Sequence, residues 1–200
     1  MSSEGSSLNL PRKVLFVFAH PRSSKSRANR RVGERVRDLE RIHFLDLYTE
    51  FPDFALDEYA VRRQQDLLRS HDVLFIQHPM YWYSMPPLLK LWLDEVFLSG
   101  FAYGKGEMAL RGKTMQISMT TGGGPEAYTP QGFHGHHFEE FLYPWKQTAK
   151  LMEMKFAEPI VLHAAVRSND DELLIHAEKV RDRVMAYTLP GYDSKSLGSP

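Results

Sequence analysis

The chain contains no cysteine in its 200 residues. Disulfide frameworks, cysteine-ligated zinc sites and thiol nucleophiles are therefore excluded, and the absence fits a reducing compartment. Long apolar runs are also missing. The run that follows the polar amino-terminal segment, Val14–Ala19, is too short for the core of a signal peptide, and no stretch approaches a membrane span. We expect a soluble, cytoplasmic protein.

An excess of charge of either sign is absent as well. Lys plus Arg and Asp plus Glu both number 25, so the formal net charge is zero. This balance disfavours both a nucleic-acid-binding surface and an acidic surface that steers partners. With 42% hydrophobic and 25% charged residues, the chain has the composition of a globular protein and the length of one ordinary domain.

What the chain does contain is an alternation of strand-like and helix-like segments between two aperiodic ends. Residues 1–12 are Ser-rich and residues 190–200 look loose, so we expect a flexible leader, one domain over 13–189 and a flexible tail. A continuous apolar run predicts a strand at Val14–Ala19, and further strands are predicted at Ile42–Leu47, Val73–Ile76, Thr114–Met119 and Ile160–His163. A helix is predicted after each strand, among them a polar helix over Asp57–Arg69 and one whose apolar stripe runs from Phe138 to Met152.

This alternation predicts an α/β fold, a doubly wound sheet of five parallel strands with helices on both faces. Ligands of such sheets bind outside the carboxyl ends of the strands, at the switch in strand order. Three loops therefore become candidates for a binding site, those that follow Ala19, Ile76 and Met119.

The first loop runs from His20 to Asn29 and leads from a strand into a helix. Free backbone N–H groups and the helix dipole favour an anion there. The hydroxyls of Ser23, Ser24 and Ser26, with nearby cations, suit a phosphate monoester. A capped helix with a solvated basic face explains the same residues equally well. The sequence lacks G-x-x-x-x-G-K-[ST], so this loop is not a nucleotide-hydrolysing P-loop.

The second loop, His78 to Pro87, carries three consecutive aromatic residues, Tyr81, Trp82 and Tyr83. Aromatic side chains are costly to leave in water, so we expect them to cover something flat and apolar. A flavin ring is one candidate, and core or dimer packing is the other. The position at the carboxyl end of a strand favours a ligand.

The third loop, Thr120 to Tyr128, contains three successive glycines. Gly122 to Ala127 fits G-x-G-x-x-A, but a dinucleotide-binding fingerprint must also open a helix. Pro125 and Pro130 deny that helix, so we reject this interpretation. Successive glycines let backbone N–H groups approach the polar edge of a ligand closely. A mobile turn is the alternative.

The segment that follows the third loop holds the strongest chemical candidates, Tyr128 and His134. His134, His136 and His137 suggest a metal at first sight, but no carboxylate or cysteine pattern completes such a site. A tyrosine and a histidine in one glycine-hinged loop better suit proton donation or charge stabilisation. A structural role for both is the alternative.

Five segments carry a family resemblance when they are taken in chain order. They are AHPRSSKSRAN, LYTEFPDF, QHPMYWYSMPPLLKLWLDEVF, GFAYG and TTGGGPEAYTPQGFHG. Together they resemble the NAD(P)H:quinone oxidoreductases with a flavodoxin-like fold. That group includes the DT-diaphorase type and the ancillary subunits of bacterial glutathione-gated potassium efflux systems. The resemblance runs from about Lys13 to Tyr187, and the five segments in this order are specific although each alone is weak.

The resemblance implies a flavodoxin-like, flavin-binding domain and assigns roles to residues of this chain. The flavin phosphate end would be held by His20, Ser26, Ala28 and Asn29. The isoalloxazine would be lined by Pro79, Met80, Tyr81, Trp82 and Tyr83, and its polar edge bonded by Thr120, Thr121, Gly122 and Gly123. Tyr128 and His134 match the pair that, in DT-diaphorase-like enzymes, stabilises charge on the reduced flavin during hydride transfer.

The implied activity is a two-electron, ping-pong hydride transfer from NADPH or NADH, through the flavin, to quinones or similar electrophiles. The first loop is longer than in the diaphorase type, and that type's long carboxyl-terminal extension is missing. Both departures favour FMN, with FAD as the alternative. A homodimer is predicted as well, because the aromatic residues Tyr81, Tyr83, Phe101 and Tyr103 exceed what one flavin face can cover and the resemblance implies the same assembly. Two other functions stay open: a subunit that binds a membrane potassium efflux transporter, and a flavodoxin-type electron carrier, although such carriers tend to be acidic and this chain is neutral.

Overall fold

A computed structural model of the protein describes residues 11–192. Its strands are β1 (Val14–Phe18), β2 (Ile42–Asp46), β3 (Val73–Pro79), β4 (Thr114–Thr120), β5 (Lys155–Phe156) and β6 (Ile160–Leu162). All pairings are parallel, in the order β2-β1-β3-β4-β5, and β6 pairs with β4 as well. The predicted doubly wound parallel sheet is confirmed.

The fifth position of the sheet is shared by two short strands. Thr114 and Met115 of β4 pair with β5, and Ser118 to Thr120 pair with β6. Between β5 and β6 lies Pro159, which has no N–H to donate to the ladder. The strand predicted at Ile160–His163 therefore forms, but it begins after an interruption that the apolar pattern did not reveal.

The helices are α1 (Arg27–Val36), α2 (Leu47–Glu50), α3 (Glu58–Ser70), α4 (Pro87–Val96), α5 (Tyr143–Leu151) and α6 (Asp170–Thr188). Side-chain caps begin several of them: Ser26 accepts from the Asn29 N–H, and Asn169 accepts from the Glu172 N–H. The stripe predicted as one helix from Phe138 to Met152 is a 3₁₀ helix over Phe138–Leu142 followed by α5.

Alternating strand residues separate two apolar layers. Val14, Phe16 and Phe18 pack with buried residues of α1 and α6. Leu15 and Val17 pack into the larger layer that includes α4 and α5. Because successive side chains of a strand point to opposite faces, one continuous apolar run builds both layers. The carboxyl ends of the strands are thereby fixed at one edge of the sheet.

The predicted leader and tail lie largely outside residues 11–192, so both stay predictions. Arg12 donates to the Asp72 carbonyl and the Thr114 hydroxyl, at 3.1 Å and 2.8 Å. At the other end the Tyr192 ring lies 4.9 Å from the Tyr187 ring. Within the part of the chain that the structure describes, no helix combines the length and the apolar character needed to cross a membrane.

Candidate functional site

A cleft of about 460 Å³ opens at the carboxyl edge of the sheet. It lies over the ends of β1, β3 and β4, where the three candidate loops leave the sheet. The segment after β6 closes one side. Its wall consists of His20, Arg22, Lys25, Ser26, Arg27, Ala28, Asn29, Pro79, Met80, Tyr81, Thr120, Thr121, Gly122, Ala165 and Val166. All three loops that the sequence singled out therefore meet at one site.

One end of the cleft is the amino terminus of α1. The Ser26 hydroxyl accepts from the Asn29 N–H at 3.2 Å, while the N–H groups of Arg27 and Ala28 donate to no group among residues 11–192. The first turn holds no acidic residue, in contrast to α6, whose first turn holds three. Free N–H groups at an unneutralised helix start bind anions.

Two cationic side chains at this end lack a charge partner. Arg22 and Lys25 are exposed and form no ion pair with any residue that the structure describes. Arg27 differs, because its guanidinium pairs with Asp170 at 2.9 Å and donates to the Ser168 carbonyl at 3.2 Å. Arg22 and Lys25 are thus available to an anion, whereas Arg27 mainly ties α1 to α6.

The side chain of Asn29 joins the helix start to the sheet. It is 2% exposed, and its Nδ2 donates to the Thr120 hydroxyl at 3.0 Å and to the Ser26 hydroxyl at 3.2 Å. Its Oδ1 accepts from the Gln77 amide at 2.8 Å. Every strong hydrogen-bonding atom of this buried amide group therefore has a partner. The first turn of α1 is thereby held against β3 and β4.

The glycine loop forms a second part of the cleft wall, through Thr121 and Gly122. Thr121 is fixed from both sides, since its N–H donates to the Leu162 carbonyl and its carbonyl accepts from the Ala165 N–H, both at 2.9 Å. The N–H groups of residues 122–124 donate to no group of the described chain. A Cβ added at Gly122 would meet nothing within 4 Å. Backbone donors and open space are thus available beside a rigid strand end.

The aromatic loop contributes unequally to the cleft. Tyr81 lines it and lies edge-on to His20, with ring centroids 6.3 Å apart. Trp82 and Tyr83 occupy a tight turn closed by backbone hydrogen bonds between Tyr81 and Ser84. Both have positive φ, 48° and 63°, which is uncommon for side chains this large. The turn leaves Trp82 93% exposed, outside the cleft wall.

His20 begins the first loop and is held in a defined orientation. The Arg22 N–H donates to its Nδ1 at 3.0 Å. Burial lowers the pKa of His20, because a charged imidazole loses hydration there. The ring is therefore neutral at physiological pH, with its proton on Nε2. At this place in the wall it acts as a hydrogen-bonding group rather than as a cation.

The structure brings Tyr128 and His134 together behind the cleft. Their rings lie 4.4 Å apart, and the loop is closed by the His134 N–H, which donates to the Ala127 carbonyl at 2.9 Å. Tyr128 is 6% exposed, and its hydroxyl lies 3.8 Å from the sulfur of Met80, which is part of the cleft wall. The pair thus adjoins the cleft through Met80 without lining it.

The other two histidines of this segment, His136 and His137, interact with Glu140 rather than with His134. His136 pairs with Glu140 at 2.9 Å on the exposed face, and the His137 N–H donates to the same carboxylate at 2.9 Å. Among residues 11–192 no group of three or more His, Asp or Glu side chains is arranged to hold a metal. His134 instead packs among aromatic rings, including those of Tyr83 and Phe133.

The sequence of residues 12–184 matches the Flavodoxin_2 family, which is described as having a flavodoxin-like fold. The chain belongs to this family. The match spans nearly the whole described domain, and it confirms the family resemblance that the five sequence segments indicated.

Several known proteins are similar to this chain over most of its length. The glutathione-regulated potassium-efflux system ancillary protein KefG of Yersinia enterocolitica is 40% identical over 86% of this chain and 91% of that protein. General stress protein 14 from Treponema denticola, solved in complex with FMN, is 32% identical. Its TM-score is 0.80 over 88% of this chain and 99% of that chain. An NADPH-quinone reductase from P. pentosaceus, 24% identical with a TM-score of 0.74 over 86% and 97%, shares the fold.

Most of the sequence-predicted cofactor residues of this flavodoxin-like chain meet in the cleft, and five predicted site residues lie outside its wall. The five are Trp82, Tyr83, Gly123, Tyr128 and His134. Sequence reasoning named the cations of the first loop only collectively, and it missed Ala165 and Val166 altogether. A signal for the last two was present, since they follow β6 at the same edge of the sheet. Neither glycines nor aromatics mark that loop.

Proposed function

We propose that the chain is a flavin-dependent oxidoreductase of the NAD(P)H dehydrogenase (quinone) type, which holds FMN in the cleft. In this proposal NADPH or NADH donates hydride, leaves, and is replaced by a quinone or a similar electrophile. The observation that carries the proposal is the cleft itself. Its wall includes the start of α1, where the first turn holds no acidic residue and Arg22 and Lys25 have no ion-pair partner among the described residues. The same wall includes the glycine loop, whose backbone N–H groups are free to donate. A 32% identical relative of almost equal length was solved in complex with FMN.

The donor set fits the phosphate of FMN. The N–H groups of Arg27 and Ala28 and the hydroxyls of Ser23, Ser24 and Ser26 lie at or beside the start of α1. Exposed Arg22 and Lys25 add charge that no neighbour neutralises. A phosphate monoester has the charge and the acceptor oxygens that such a site requires. FAD would place a diphosphate at the same end and stays the alternative.

The rest of the cleft fits a planar group with one polar edge. Pro79, Met80 and Tyr81 supply apolar wall, and Gly122 leaves space in which backbone N–H groups can approach. The Thr120 carbonyl is already used, because it accepts from the Met80 N–H at 2.7 Å. The N–H groups of residues 122–124 donate to no group of the described chain, so they can donate to carbonyl oxygens and acceptor ring nitrogens of the ligand.

FMN, when bound, accepts two electrons from NAD(P)H and passes them to the acceptor. This chain's residues bind the phosphate, orient the ring and place donors where negative charge develops. We assign that last role to Tyr128 and His134, which are packed together next to the cleft wall. A donor aimed at the developing charge stabilises the transition state more than the ground state.

The proposed function is tested by purifying the protein and recording its absorbance spectrum before and after NADPH is added without oxygen. We expect a yellow protein that bleaches rapidly with NADPH and releases FMN on denaturation. Addition of a quinone should restore the yellow colour. A colourless protein that binds neither FMN nor FAD would refute the proposal.

A second function is supported by one observation, the 40% identity to KefG over 86% of this chain. We propose that the protein also associates with a membrane potassium efflux transporter as an ancillary subunit, from the cytoplasm. Potassium efflux from cells that carry the transporter should increase when the chain is co-expressed. Equal efflux with and without the chain would exclude this role and leave the oxidoreductase activity unaffected.

We also propose a homodimer with each flavin near the subunit interface. Trp82 and Phe133 are 93% and 89% exposed on two loops that leave the same edge of the sheet. Phe101, one of the aromatic residues on which the dimer prediction from the sequence rests, is buried instead. Large apolar side chains left in solvent are available to a second subunit, and most homo-oligomers are twofold dimers. Light scattering at micromolar concentration tests this assembly, and a fully active monomer would contradict it.

A further inference from the structure

His163 follows β6 and joins the glycine loop to the proposed catalytic tyrosine. Its Nδ1 lies 3.0 Å from the hydroxyl oxygen of Thr121, a residue of the cleft wall. The imidazole ring lies 5.2 Å from the Tyr128 ring and 4.8 Å from the Phe138 ring, centroid to centroid. His163 is thus the side chain that contacts both ends of the loop between β4 and the 3₁₀ helix at Phe138.

The hydrogen bonds around Thr121 determine which nitrogen of His163 carries a proton. The Thr121 hydroxyl donates to the Gly123 carbonyl at 2.8 Å. A hydroxyl has one proton to donate, so toward His163 the same oxygen can only accept. Nδ1 of His163 must therefore be the donor. A neutral imidazole in this arrangement has its proton on Nδ1 and its lone pair on Nε2.

We propose that His163 is a positioning residue that, through its Nδ1–H bond to Thr121, holds residues 121–123 in the shape that receives the polar edge of FMN. The inference rests on the proposed function and deepens it. Backbone bonds already join this segment to the β6 side, since the Ala164 N–H donates to the Gly123 carbonyl at 2.8 Å. The bond from His163 is what fixes the Thr121 side chain and directs its proton to Gly123.

The surroundings of His163 keep this donor neutral. Burial lowers its pKa, while Glu126 on the glycine-loop side and Glu139 of the 3₁₀ helix raise it. Lys146 of α5 and Glu158 line the cavity of about 250 Å³ that His163 also borders. Burial has the larger effect, so the pKa of His163 lies below its ordinary value and the neutral ring predominates at neutral pH. The position of its proton is then set by Thr121.

The first test is the tautomer of His163 in the flavin-free protein. Long-range proton–nitrogen NMR at pH 7.5, with the His163→Asn spectrum used to assign the ring, should show the proton on Nδ1. A proton on Nε2 would overturn the inference, because Thr121 would then be the donor. The measurement is made on the wild-type protein without FMN, and His163→Asn serves only to assign its signals.

The second test compares FMN dissociation constants of two variants that both lack the imidazole. His163→Asn retains an amide N–H close to the place of Nδ1, whereas His163→Leu fills the space without a donor. We expect FMN binding to weaken about tenfold in His163→Leu, the scale of one buried hydrogen bond, and to stay within about twofold of wild type in His163→Asn. The exposed His136→Asn is the control and should bind as wild type.

Equal affinity in His163→Leu and wild type, or equal loss in both variants, would overturn the positioning role. Failure of the wild-type protein to bind FMN would refute the proposed function instead. If His163→Leu does not fold, as judged by circular dichroism, the tautomer measurement and His163→Asn still decide the question.

Discussion

Tyr128 illustrates how much of the proposed chemistry depends on single side chains. It is buried against His134, Phe138 and His163, and its hydroxyl points toward the sulfur of Met80. Sulfur is a weak hydrogen-bond acceptor, so this hydroxyl retains most of its capacity to donate. A buried donor that is held by packing, with no strong partner of its own, is suited to stabilise charge that appears only during the reaction.

Substitution of this pair should separate catalysis from cofactor binding. Tyr128→Phe and His134→Ala should each slow flavin reduction by NADPH on the order of 10²-fold, or ~2.7 kcal/mol, with flavin content nearly unchanged. The double variant should lose less than the sum, because the rings are in contact. Stopped-flow absorbance measures all three. Reduction at wild-type speed in both single variants would contradict the assignment, and lost flavin would indicate a packing role.

Two neighbouring glycines provide a matched pair of tests. A Cβ at Gly122 would enter open space, whereas one at Gly123 would lie 3.1 Å from His134 Nε2 and 3.2 Å from Tyr128 Cε2. Gly122→Ala should therefore unfold at nearly the wild-type temperature but bind FMN more weakly. Gly123→Ala should lose about 1 kcal/mol of stability through overpacking. Thermal unfolding and FMN titration distinguish them, and equal effects of both substitutions would contradict this view of the loop.

At the scale of elements, the carboxyl terminus of α3 depends on one lysine from a different segment. Lys113 precedes β4, and its ammonium donates to the carbonyls of Leu68, Arg69 and His71 at 2.7, 2.7 and 2.6 Å. The last carbonyls of a helix have no partners within the helix itself. Lys113 therefore satisfies them and ties α3 to the sheet.

Removing the ammonium should destabilise the protein without affecting the cleft. Lys113→Met should lower the free energy of unfolding by about 2 kcal/mol, because carbonyls that bonded a charged donor lose it. FMN affinity should not change. Urea denaturation measures the first quantity. Lys105→Met, at an exposed position, is the control and should be neutral. A stability of Lys113→Met equal to that of the control would exclude the capping role.

The elements differ in how well the sequence predicts them. β1 and β3 are buried on both faces, and each begins with a continuous apolar run that is easy to recognise. β4 is equally buried but alternates apolar and polar residues, and this period of two also indicates a strand. The split between β5 and β6 was not predicted, because a single proline in a short segment does not show where pairing stops. The 3₁₀ start before α5 was missed because its apolar spacing also fits an α-helix.

The cleft was predictable where a loop has a distinctive composition. Serines with cations, consecutive aromatics and consecutive glycines each marked one wall. Ala165 and Val166 carry no such mark, and only topology places them there. The orientation of Trp82 and Tyr83 was not predictable either, since left-handed backbone at two aromatic residues contradicts local preference. Such a conformation is set by the closed turn around it.

At the scale of the whole molecule, the net charge is zero, but positive and negative side chains are concentrated on different helices. α1 is rich in arginine and crosses α6, which begins with three acidic residues. Asp170 accepts from both Arg27 and Arg31, and Arg35 pairs with Glu178. These exposed pairs contribute little stability individually. The pairs neutralise the arginines of α1 that face α6, whereas Arg22 and Lys25 beside the cleft form no ion pair with any described residue.

Stability should fall as the pH is lowered through mild acid. Burial lowers the pKa of His78 and of His176 to about 4, against an ordinary value of about 6.5. The unfolded chain therefore binds more protons between these values, so the free energy of unfolding decreases as the pH falls from about 6.5 toward 4. The carboxyls of Glu107 and Asp170, whose pKa values are lowered by arginine partners, act in the same direction.

Urea denaturation at pH 7.5, 6.0 and 5.0 measures this dependence, and each unit of histidine pKa shift corresponds to about 1.4 kcal/mol. His176→Asn should flatten the curve, because it removes one titrating group whatever its effect at pH 7.5. Stability that is constant or that rises on acidification would contradict the buried, neutral state of these histidines.

The turn between Tyr81 and Ser84 exposes Trp82, so the fluorescence of this residue can report what binds beside it. Of its three tryptophans, Trp92 and Trp145 are 0% and 2% exposed, whereas Trp82 is 93% exposed. Iodide should therefore quench the emission of Trp82 selectively. Trp82 directly follows Tyr81, which lines the cleft. The fraction of fluorescence that iodide quenches should therefore fall when a second subunit or another partner covers Trp82. Iodide quenching can thus measure the binding of a partner to the unlabelled protein, without an assay of enzymatic turnover.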